Sequence, residues 1–220
     1  MILNLPTTKE SFRLLLISDT HVYKSSMTIP RIFTDRFRKC APDHIIHCGD
    51  ICRKSVLNEL RQIAPVSAVR GNRDIFSFFS LPGKIDINVQ GYRIHVEHGQ
   101  GNLWDYLKIK TYTVLCKIRR KPYDIAKLNK LGADPGQFDI LFFGHSHFKR
   151  IERDNNLLLV NPGHINLSGP FKPDLPPSFC FFRFEEAAIE LTVYTLAGKE
   201  FEQEIYRFDK SKLRGFRENE

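Results

Sequence analysis

Short runs of apolar residues recur along the first half of the chain, and each run ends in a small group of polar residues. The runs lie at residues 13–18, 43–48, 66–70, 93–97 and 138–143. Strands that are apolar almost throughout are typical of a sheet covered on both faces. Helix-like stretches over residues 29–39 and 55–62 separate the first three runs. This alternation of strands and helices predicts a parallel sheet.

The second half of the chain has the pattern of antiparallel hairpins. Residues 85–90 pair with 92–96 across Gly91, residues 149–153 with 157–160, and residues 179–184 with 189–196. Residues 161–177 include five prolines and are predicted to form a loop. Two sheets packed face to face, with the helices outside, accommodate all of these elements. We therefore predict an α/β fold with a single domain over residues 1–220.

Residues 101–136 form a predicted insertion between two strands. Residues 103–115 and 123–131 have helical patterns, and residues 108–121 hold six basic side chains and no acidic one. Two interpretations remain open for this segment. It is either a solvated helix face or a basic flap that overhangs the ends of the strands.

Composition narrows the class of protein without naming a function. The 220 residues carry 33 Lys and Arg against 25 Asp and Glu, a formal net charge of +8. This surplus favours phosphate-bearing partners but does not by itself indicate nucleic acid. The five cysteines form no C-x-x-C pair, and no apolar run is long enough to cross a bilayer. The N-terminus lacks the pattern of a signal peptide. We therefore expect a cytoplasmic protein with no membrane partner.

The polar groups at the strand ends carry the chemistry. Ligands bind outside the carboxyl ends of parallel strands, and seven oxygen or imidazole side chains follow the predicted strands: Asp19, His21, Asp50, Asn72, His98, His145 and His147. Each group alone is typical of a turn or a helix cap. Gathered in one cleft, carboxylates and neutral imidazoles repel or stay unsatisfied unless a cation joins them. Oxygen and imidazole ligands suit Mn²⁺, Fe²⁺ or Zn²⁺.

These residues stand in five motifs: D-x-H at 19–21, G-D at 49–50, G-N-x-D at 71–74, H-G at 98–99 and G-H-S-H at 144–147. The set resembles the pattern of the binuclear, calcineurin-like metallophosphoesterase superfamily and covers about residues 12–165. Small size and the N-P-G at 161–163 make the chain most similar to the YfcE-like subgroup. The resemblance implies a four-layer α-β-β-α sandwich with two mixed β-sheets. The subgroup contains phosphodiesterases and, as a non-enzymatic member, the retromer scaffold subunit.

Carried over residue by residue, the resemblance implies two metal sites. Asp19, His21, Asp50 and His147 would hold the first divalent ion. Asp50, Asn72, His98 and His145 would hold the second, with Asp50 bridging the two. Mn²⁺ is the expected metal, with Fe²⁺, Zn²⁺ and Ni²⁺ as alternatives. The implied reaction is attack of a metal-bridging hydroxide on a phosphate ester, with Asp50, Asn72 and Arg73 as catalytic residues. Asp74 and Asp43 are expected to support the site or cap helices.

Three positions depart from the pattern of the superfamily or the subgroup. Arg73 replaces a histidine or cysteine, and it is predicted either to bind phosphate or to pair with Asp74 or Asp50. Gln100 follows His98-Gly99 where many relatives have a second histidine. His164 follows the N-P-G motif where serine is common. We expect it to lie on the surface, and a position that reaches the site is the alternative.

Three function classes remain. A hydrolase of small phosphodiesters is favoured, because all seven ligand positions are present, including that of His21, which animal forms of the scaffold subunit have lost. A binding or scaffold module of the same fold is the first alternative. A nuclease is the second, on the net charge and the basic insertion, although nuclease relatives usually carry extra domains. The oligomeric state is not predicted.

Overall fold

The computed structural model describes residues 1–6, 10–22, 28–74, 81–99, 137–154, 156–167 and 175–213. Within these ranges lie twelve strands: β1 (Ile2–Asn4), β2 (Ser11–Ile17), β3 (His44–His47), β4 (Val66–Ala68), β5 (Lys84–Val89), β6 (Tyr92–Glu97), β7 (Ile140–Phe142), β8 (Lys149–Asp154), β9 (Leu157–Pro162), β10 (Ser178–Glu185), β11 (Ala188–Ala197) and β12 (Glu200–Asp209). The helices in the same ranges are α1 (Arg31–Cys40), α2 (Lys54–Arg61) and α3 (Lys210–Leu213).

The strands form two mixed sheets of six strands each. Sheet 1 has the order β1-β5-β6-β7-β9-β8, and sheet 2 has the order β12-β11-β10-β2-β3-β4. Strands β2, β3 and β4 are parallel, as the alternation of strands and helices predicts. Strands β6, β7 and β9 are also parallel. The three predicted hairpins form as β5–β6, β8–β9 and β10–β11.

The apolar run of β2 shows why this strand has no polar face. Leu14 and Leu16 are buried between the two sheets, in one cluster with Phe142 of sheet 1. Leu15 and Ile17 point to the other face of sheet 2, in a cluster that includes Phe33 and Phe37 of α1. A strand with both faces covered buries most of its side chains, and in β2 only Ser11 and Arg13 are half-buried. The predicted α/β fold with two mixed sheets is confirmed.

Helix α1 begins two residues later than its predicted start at residue 29. Pro30 precedes the first helical residue with φ −54° and ψ 134°, an extended backbone conformation. Phe33 and Phe37 stand four residues apart on the buried side of the helix, with ring centroids 6.2 Å apart. The hydrophobic face is therefore set by the i, i+4 spacing.

Two strands were not predicted from the sequence. β1 has three residues and pairs with β5. β12 pairs with β11 over its whole length and forms one edge of sheet 2. Most of its side chains are exposed, so its sequence lacks an apolar run. The proline-rich loop also begins later than predicted, because β9 continues to Pro162.

The predicted helices of the insertion at 101–136 lie outside the described residues. A small cluster of Leu141, Phe143, Leu157 and Leu159 is buried on the outer face of sheet 1. A helical layer on this face stays a prediction of the resemblance. No helix in the described ranges has the length and hydropathy needed to cross a membrane.

Candidate metal centre

The seven predicted side chains meet where the ends of the two sheets face each other. Sheet 2 supplies the residues that follow β2, β3 and β4, and sheet 1 supplies those that follow β6 and β7. Two backbone hydrogen bonds hold the loops after β2 and β3 together: Asp19 N–H donates to Gly49 O and His21 N–H to Asp50 O, both at 3.0 Å. Gly144 N–H donates to His98 O at 3.2 Å in sheet 1.

Five of these seven residues have left-handed backbone conformations, with φ between 47° and 70°: Asp19, His21, Asp50, His145 and His147. Positive φ is uncommon for residues other than glycine and clusters at functional sites. Here it turns the chain sharply at each strand end, so that neighbouring ligands on one loop face the same point. The D-x-H and H-x-H spacings depend on this turn.

The first group consists of the four residues that the resemblance assigns to the first metal. One ligand atom from each of Asp19, His21, Asp50 and His147 lies within 4.8 Å of the others. The Nε2 atoms of His21 and His147 are 3.0 Å apart. Asp19 Oδ1 lies 3.1 Å from His147 Nε2 and 3.5 Å from His21 Nε2.

The second group gathers around the side-chain oxygen of Asn72. Asn72 Oδ1 lies 3.2 Å from His98 Nε2 and 3.1 Å from His145 Nδ1. His98 Nδ1 lies 2.6 Å from the carbonyl oxygen of Cys48 and is therefore placed to donate to it. That bond fixes the imidazole and directs Nε2 toward Asn72 Oδ1 and Asp50 Oδ1, where a deprotonated Nε2 could bind a cation.

The carboxylate of Asp50 stands between the two groups. Its Oδ2 is 3.7 Å from His21 Nε2 of the first group, and its Oδ1 is 3.4 Å from His98 Nε2 of the second. The Arg73 backbone N–H also donates to Asp50 Oδ1 at 2.7 Å. The position predicted to bridge two metals is thus the one that faces both groups.

Glycines are required beside the carboxylates because the loops approach closely. A Cβ atom at Gly71 would lie 2.2 Å from Asp50 Oδ1, and one at Gly144 would lie 2.7 Å from Asp19 Oδ2. Both distances are shorter than any real contact of a Cβ atom. The glycines of the G-N-x-D and G-H-S-H motifs therefore make room for the carboxylates of other loops.

Asp74 supports the site without belonging to it. Its Oδ2 accepts the backbone N–H groups of Asp50 and Gly71, and its Oδ1 accepts those of Ile51 and Cys52, at 2.7–2.9 Å. It therefore ties the loop after β3 to the loop after β4. Asp43 does not reach the site. Asp43 directly precedes β3 and accepts hydrogen bonds from the backbone and side chain of Arg13 on β2.

Two asparagines that sequence reasoning did not assign also position the site. Asn161 Nδ2 donates to Gly144 O and Ser146 Oγ, at 2.8 and 3.1 Å, which fixes the loop of the two histidines. Asn166 Nδ2 donates to the carbonyl oxygen of His21 at 3.2 Å. The N-P-G motif was the available signal for Asn161, but in the sequence it indicated only a resemblance to the YfcE-like subgroup and no role for the side chain.

The electrostatics fit a cation. Asp19 is fully buried, and within the described part of the chain its Oδ1 accepts no hydrogen bond. Burial opposes ionisation of Asp19, yet the imidazoles of His147 and His21 hold its pKa well below the ordinary value. Burial alone would lower the pKa of His98, but the carboxylate of Asp50 raises it to about 9. The buried anions therefore already draw positive charge to the site, and divalent ions would supply it.

The structure places the side chain of Arg73 on the surface and that of His164 in the interior. The side chain of Arg73 is exposed, and it forms no ion pair with Asp74, Asp50 or any other described residue, while Asp74 is occupied by backbone N–H groups. The predicted surface position of His164 is wrong. His164 is buried, its Nε2 lies 3.1 Å from Leu175 O, and its ring centroid is 5.9 Å from that of His147. The backbone turns inward after Gly163, which has φ 85°.

Comparison with known proteins gives a consistent result. A family model described as the calcineurin-like phosphoesterase superfamily domain matches residues 12–187. A protein of Methanocaldococcus jannaschii named as a probable metallophosphoesterase is 34% identical over 148 residues, which are 67% of this chain and 65% of that protein. The match therefore spans slightly less than two thirds of that relative.

Solved structures show the same fold at lower identity. Vps29 of Entamoeba histolytica in complex with zinc has a TM-score of 0.63 and 22% identity, covering 90% of this chain and 99% of that one. YfcE, a phosphoesterase of Escherichia coli, has a TM-score of 0.55 and 17% identity, covering 87% of this chain and 98% of that one.

Proposed function

The chain belongs to the calcineurin-like phosphoesterase superfamily, and we propose that it hydrolyses phosphodiesters, small ones in particular, at a site that holds two divalent metal ions. The observation that carries the proposal is the position of Asp50. Its two oxygens face two separate sets of ligand atoms, at 3.7 Å from His21 Nε2 and 3.4 Å from His98 Nε2. A carboxylate placed in this way is suited to a bridging role.

The ligand division follows from the two groups. Asp19, His21, Asp50 and His147 would hold one ion, and Asp50, Asn72, His98 and His145 the other. Carboxylate, amide and imidazole ligands suit Mn²⁺, our first choice, and also Fe²⁺, Zn²⁺ and Ni²⁺. When bound, a pair of such ions lowers the pKa of a water molecule and neutralises the charge of phosphoryl oxygens.

The residues of the chain set up this chemistry before any substrate binds. Asp74 fixes the loop of Asp50 through backbone N–H groups, and Cys48 O fixes the imidazole of His98. Arg73 follows Asn72 directly, and its backbone N–H contacts Asp50, so its guanidinium is within reach of a phosphoryl group at the site. Guanidinium groups bind phosphate oxygens with two parallel hydrogen bonds.

The preference for diesters follows from Arg73. An arginine stays protonated at ordinary pH and cannot donate a proton to a leaving group. A diester with a stable alcohol or aryl leaving group needs little protonation, so the absence of an acid at this position costs less there. Phosphate-ester substrates are thus expected, with diesters ahead of monoesters.

Two alternative functions are also tested. A scaffold or binding role without turnover is favoured by the likeness to Vps29, which concerns the fold alone. A nuclease that acts on polymeric nucleic acid would draw on the net charge of +8 and on the basic insertion, which lies outside the described residues. The cytoplasm remains the predicted location, on sequence features alone.

The test combines metal analysis with a substrate screen on the full chain. Metal-free protein is reloaded with Mn²⁺, Ni²⁺ or Zn²⁺, and bound metal and turnover of bis-aryl and mono-aryl phosphates are measured on one preparation. We expect two bound ions, higher kcat/KM on the diester, and loss of turnover in Asp50→Asn with the fold intact. Asp35→Asn is the matched control, because Asp35 is exposed on α1.

Any other outcome of this experiment leads to a different conclusion. Turnover near that of the wild type in metal-loaded Asp50→Asn contradicts the two-metal site. Bound metal without hydrolysis of any ester favours the scaffold role. A strong preference for single-stranded nucleic acid over small diesters favours the nuclease, and a preference for the monoester contradicts the role given to Arg73.

A further inference from the structure

We propose that Ser18 is a positioning residue that fixes the carboxylate of Asp19, so that a single oxygen of Asp19 faces the first metal position. The inference rests on the proposed function in one respect, that a metal ion binds at Asp19, His21, Asp50 and His147. It adds a residue that the five motifs do not include.

The two oxygens of Asp19 have different surroundings. Oδ2 accepts a hydrogen bond of 2.5 Å from Ser18 Oγ and one of 3.1 Å from the backbone N–H of His145. Oδ1 accepts no hydrogen bond within the described residues and faces the imidazole nitrogens of His147 and His21. The carboxylate is thus held from one side and left open on the other.

The hydroxyl of Ser18 is enclosed where the two sheets meet. Ser18 is fully buried directly after β2 of sheet 2. Across from it lies Gly144, which follows β7 of sheet 1, and a Cβ atom there would be 2.0 Å from Ser18 Oγ. A side chain at position 144 would therefore displace the hydroxyl. The glycine and the serine form one arrangement that sets the orientation of Asp19.

This arrangement matters because a carboxylate can rotate. Without the hydroxyl, Oδ2 would keep only the N–H of His145, and the group could turn toward that donor or present both oxygens to the cation. Residues that orient metal ligands through hydrogen bonds typically change metal affinity about 10–100-fold when they are removed. A serine that only fills space would change the stability of the protein but not its affinity for metal.

The experiment measures binding of Mn²⁺ alone to metal-free protein, by calorimetric titration and by the electron paramagnetic resonance signal of free Mn²⁺. Ser18→Ala is expected to weaken one of the two Mn²⁺ sites about 10–100-fold and to leave the other in place. Ser67→Ala is the matched control. Ser67 lies on β4 of the same sheet, and its Oγ is 3.0 Å from His44 Nε2, away from the metal centre.

Two further variants separate positioning from packing. Ser18→Thr keeps the hydroxyl and is expected to retain more Mn²⁺ affinity than Ser18→Ala. Ser18→Cys keeps nearly the same volume with only a weak donor, and it serves if Ser18→Ala does not fold. Thermal unfolding of each metal-free variant reports the packing contribution separately.

The outcomes distinguish this inference from the proposed function. If the wild type binds no Mn²⁺, Ni²⁺ or Zn²⁺, the proposed function fails. If the wild type binds Mn²⁺ and folded Ser18→Ala or Ser18→Cys binds it equally well, the role of Ser18 is overturned and the proposed function stands. Equal loss of affinity in Ser67→Ala would also overturn it, because the effect would then be general.

Discussion

Single residues at the strand ends adopt conformations that cost energy, and the surrounding bonds hold them there. Asp19 and His21 both have positive φ, and the backbone N–H of each donates to the neighbouring loop at 3.0 Å. Strained conformations of this kind persist only where the structure around them determines the backbone. The residues that the motifs singled out lie close together in the structure. The motifs contained no signal for the left-handed backbone, because aspartate and histidine do not require it.

Burial of individual side chains was less predictable than their convergence. His164 follows a glycine and precedes a polar loop in sequence, which is typical of the surface. It is nevertheless buried beside His147, since the loop after β9 packs against the site. Long-range packing of this kind leaves no local pattern in the sequence.

At Arg73 we predict an effect on turnover and not on metal content. Removal of a preorganised donor that contacts a developing charge commonly costs a factor of about 10²–10³ in rate, so Arg73→Ala should lower kcat/KM by that factor. The guanidinium is exposed and holds no ion pair with a described residue, so metal binding and stability should not change. Kinetics and metal stoichiometry are measured on the same preparation.

Arg61→Ala controls for the loss of one positive charge, since Arg61 is exposed on α2. Unchanged kinetics in fully metal-loaded Arg73→Ala would remove Arg73 from the catalytic residues. Loss of metal in that variant would instead assign it a structural role.

At the scale of elements, strands with two buried faces were predictable and strands at sheet edges were not. β2 and β3 are buried almost throughout, and their apolar runs are visible in the sequence. β12 is ten residues long but mostly exposed, with glutamates at alternate positions near its start. Its place is fixed by backbone hydrogen bonds to β11, which almost any residue can form, so no buried apolar run is needed to hold it.

The hairpin of β5 and β6 places a histidine between two acids. His95 of β6 is buried, its Nδ1 is 2.6 Å from Asp86 Oδ1 of β5, and its Nε2 is 3.8 Å from Glu97 Oε2. Burial opposes the charged form, but the carboxylates of Glu97 and Asp86 outweigh it and raise the pKa of His95. The charged imidazole therefore stabilises the folded state.

We predict that this contribution is lost as pH rises. A raised folded-state pKa means that the stabilisation is full below the unfolded-state value of about 6.5 and disappears as pH passes through the folded-state value. Hydrogen bonds to charged groups contribute about 1.5–3 kcal/mol. The side chain of Asp86 is 36% exposed, so solvent screening places this bond near the lower end of that range. The free energies of unfolding of the wild type and His95→Gln, measured by denaturant titration at the same metal content, should converge as pH rises. A constant difference between them would contradict the prediction.

For the molecule as a whole, the candidate metal centre lies where the two sheets meet. Asp19, His21, Asp50 and Asn72 follow strands of sheet 2, whereas His98, His145 and His147 follow strands of sheet 1. Direct hydrogen bonds cross between the sheets at the same place, from His145 N–H to Asp19 Oδ2 and between His98 and Cys48 O. Ions held by ligands from both sheets would therefore act as cross-links between them.

We predict that metal binding raises the stability of the whole chain. Ligands that bind only the folded state stabilise it by about 2.7 kcal/mol per site at a free concentration 100 times the dissociation constant. The carboxylates of Asp19 and Asp50 are both buried, and their mutual repulsion in the metal-free protein is a cost that a bound cation would relieve. The thermal midpoint should rise with Mn²⁺ concentration in the wild type and much less in Asp50→Asn. Because the ligands come from both sheets, we expect one cooperative unfolding transition that shifts as a unit. An equal shift of the midpoint in the wild type and in Asp50→Asn would show that the ions bind elsewhere. A shift confined to part of the transition would show that the ions do not link the sheets.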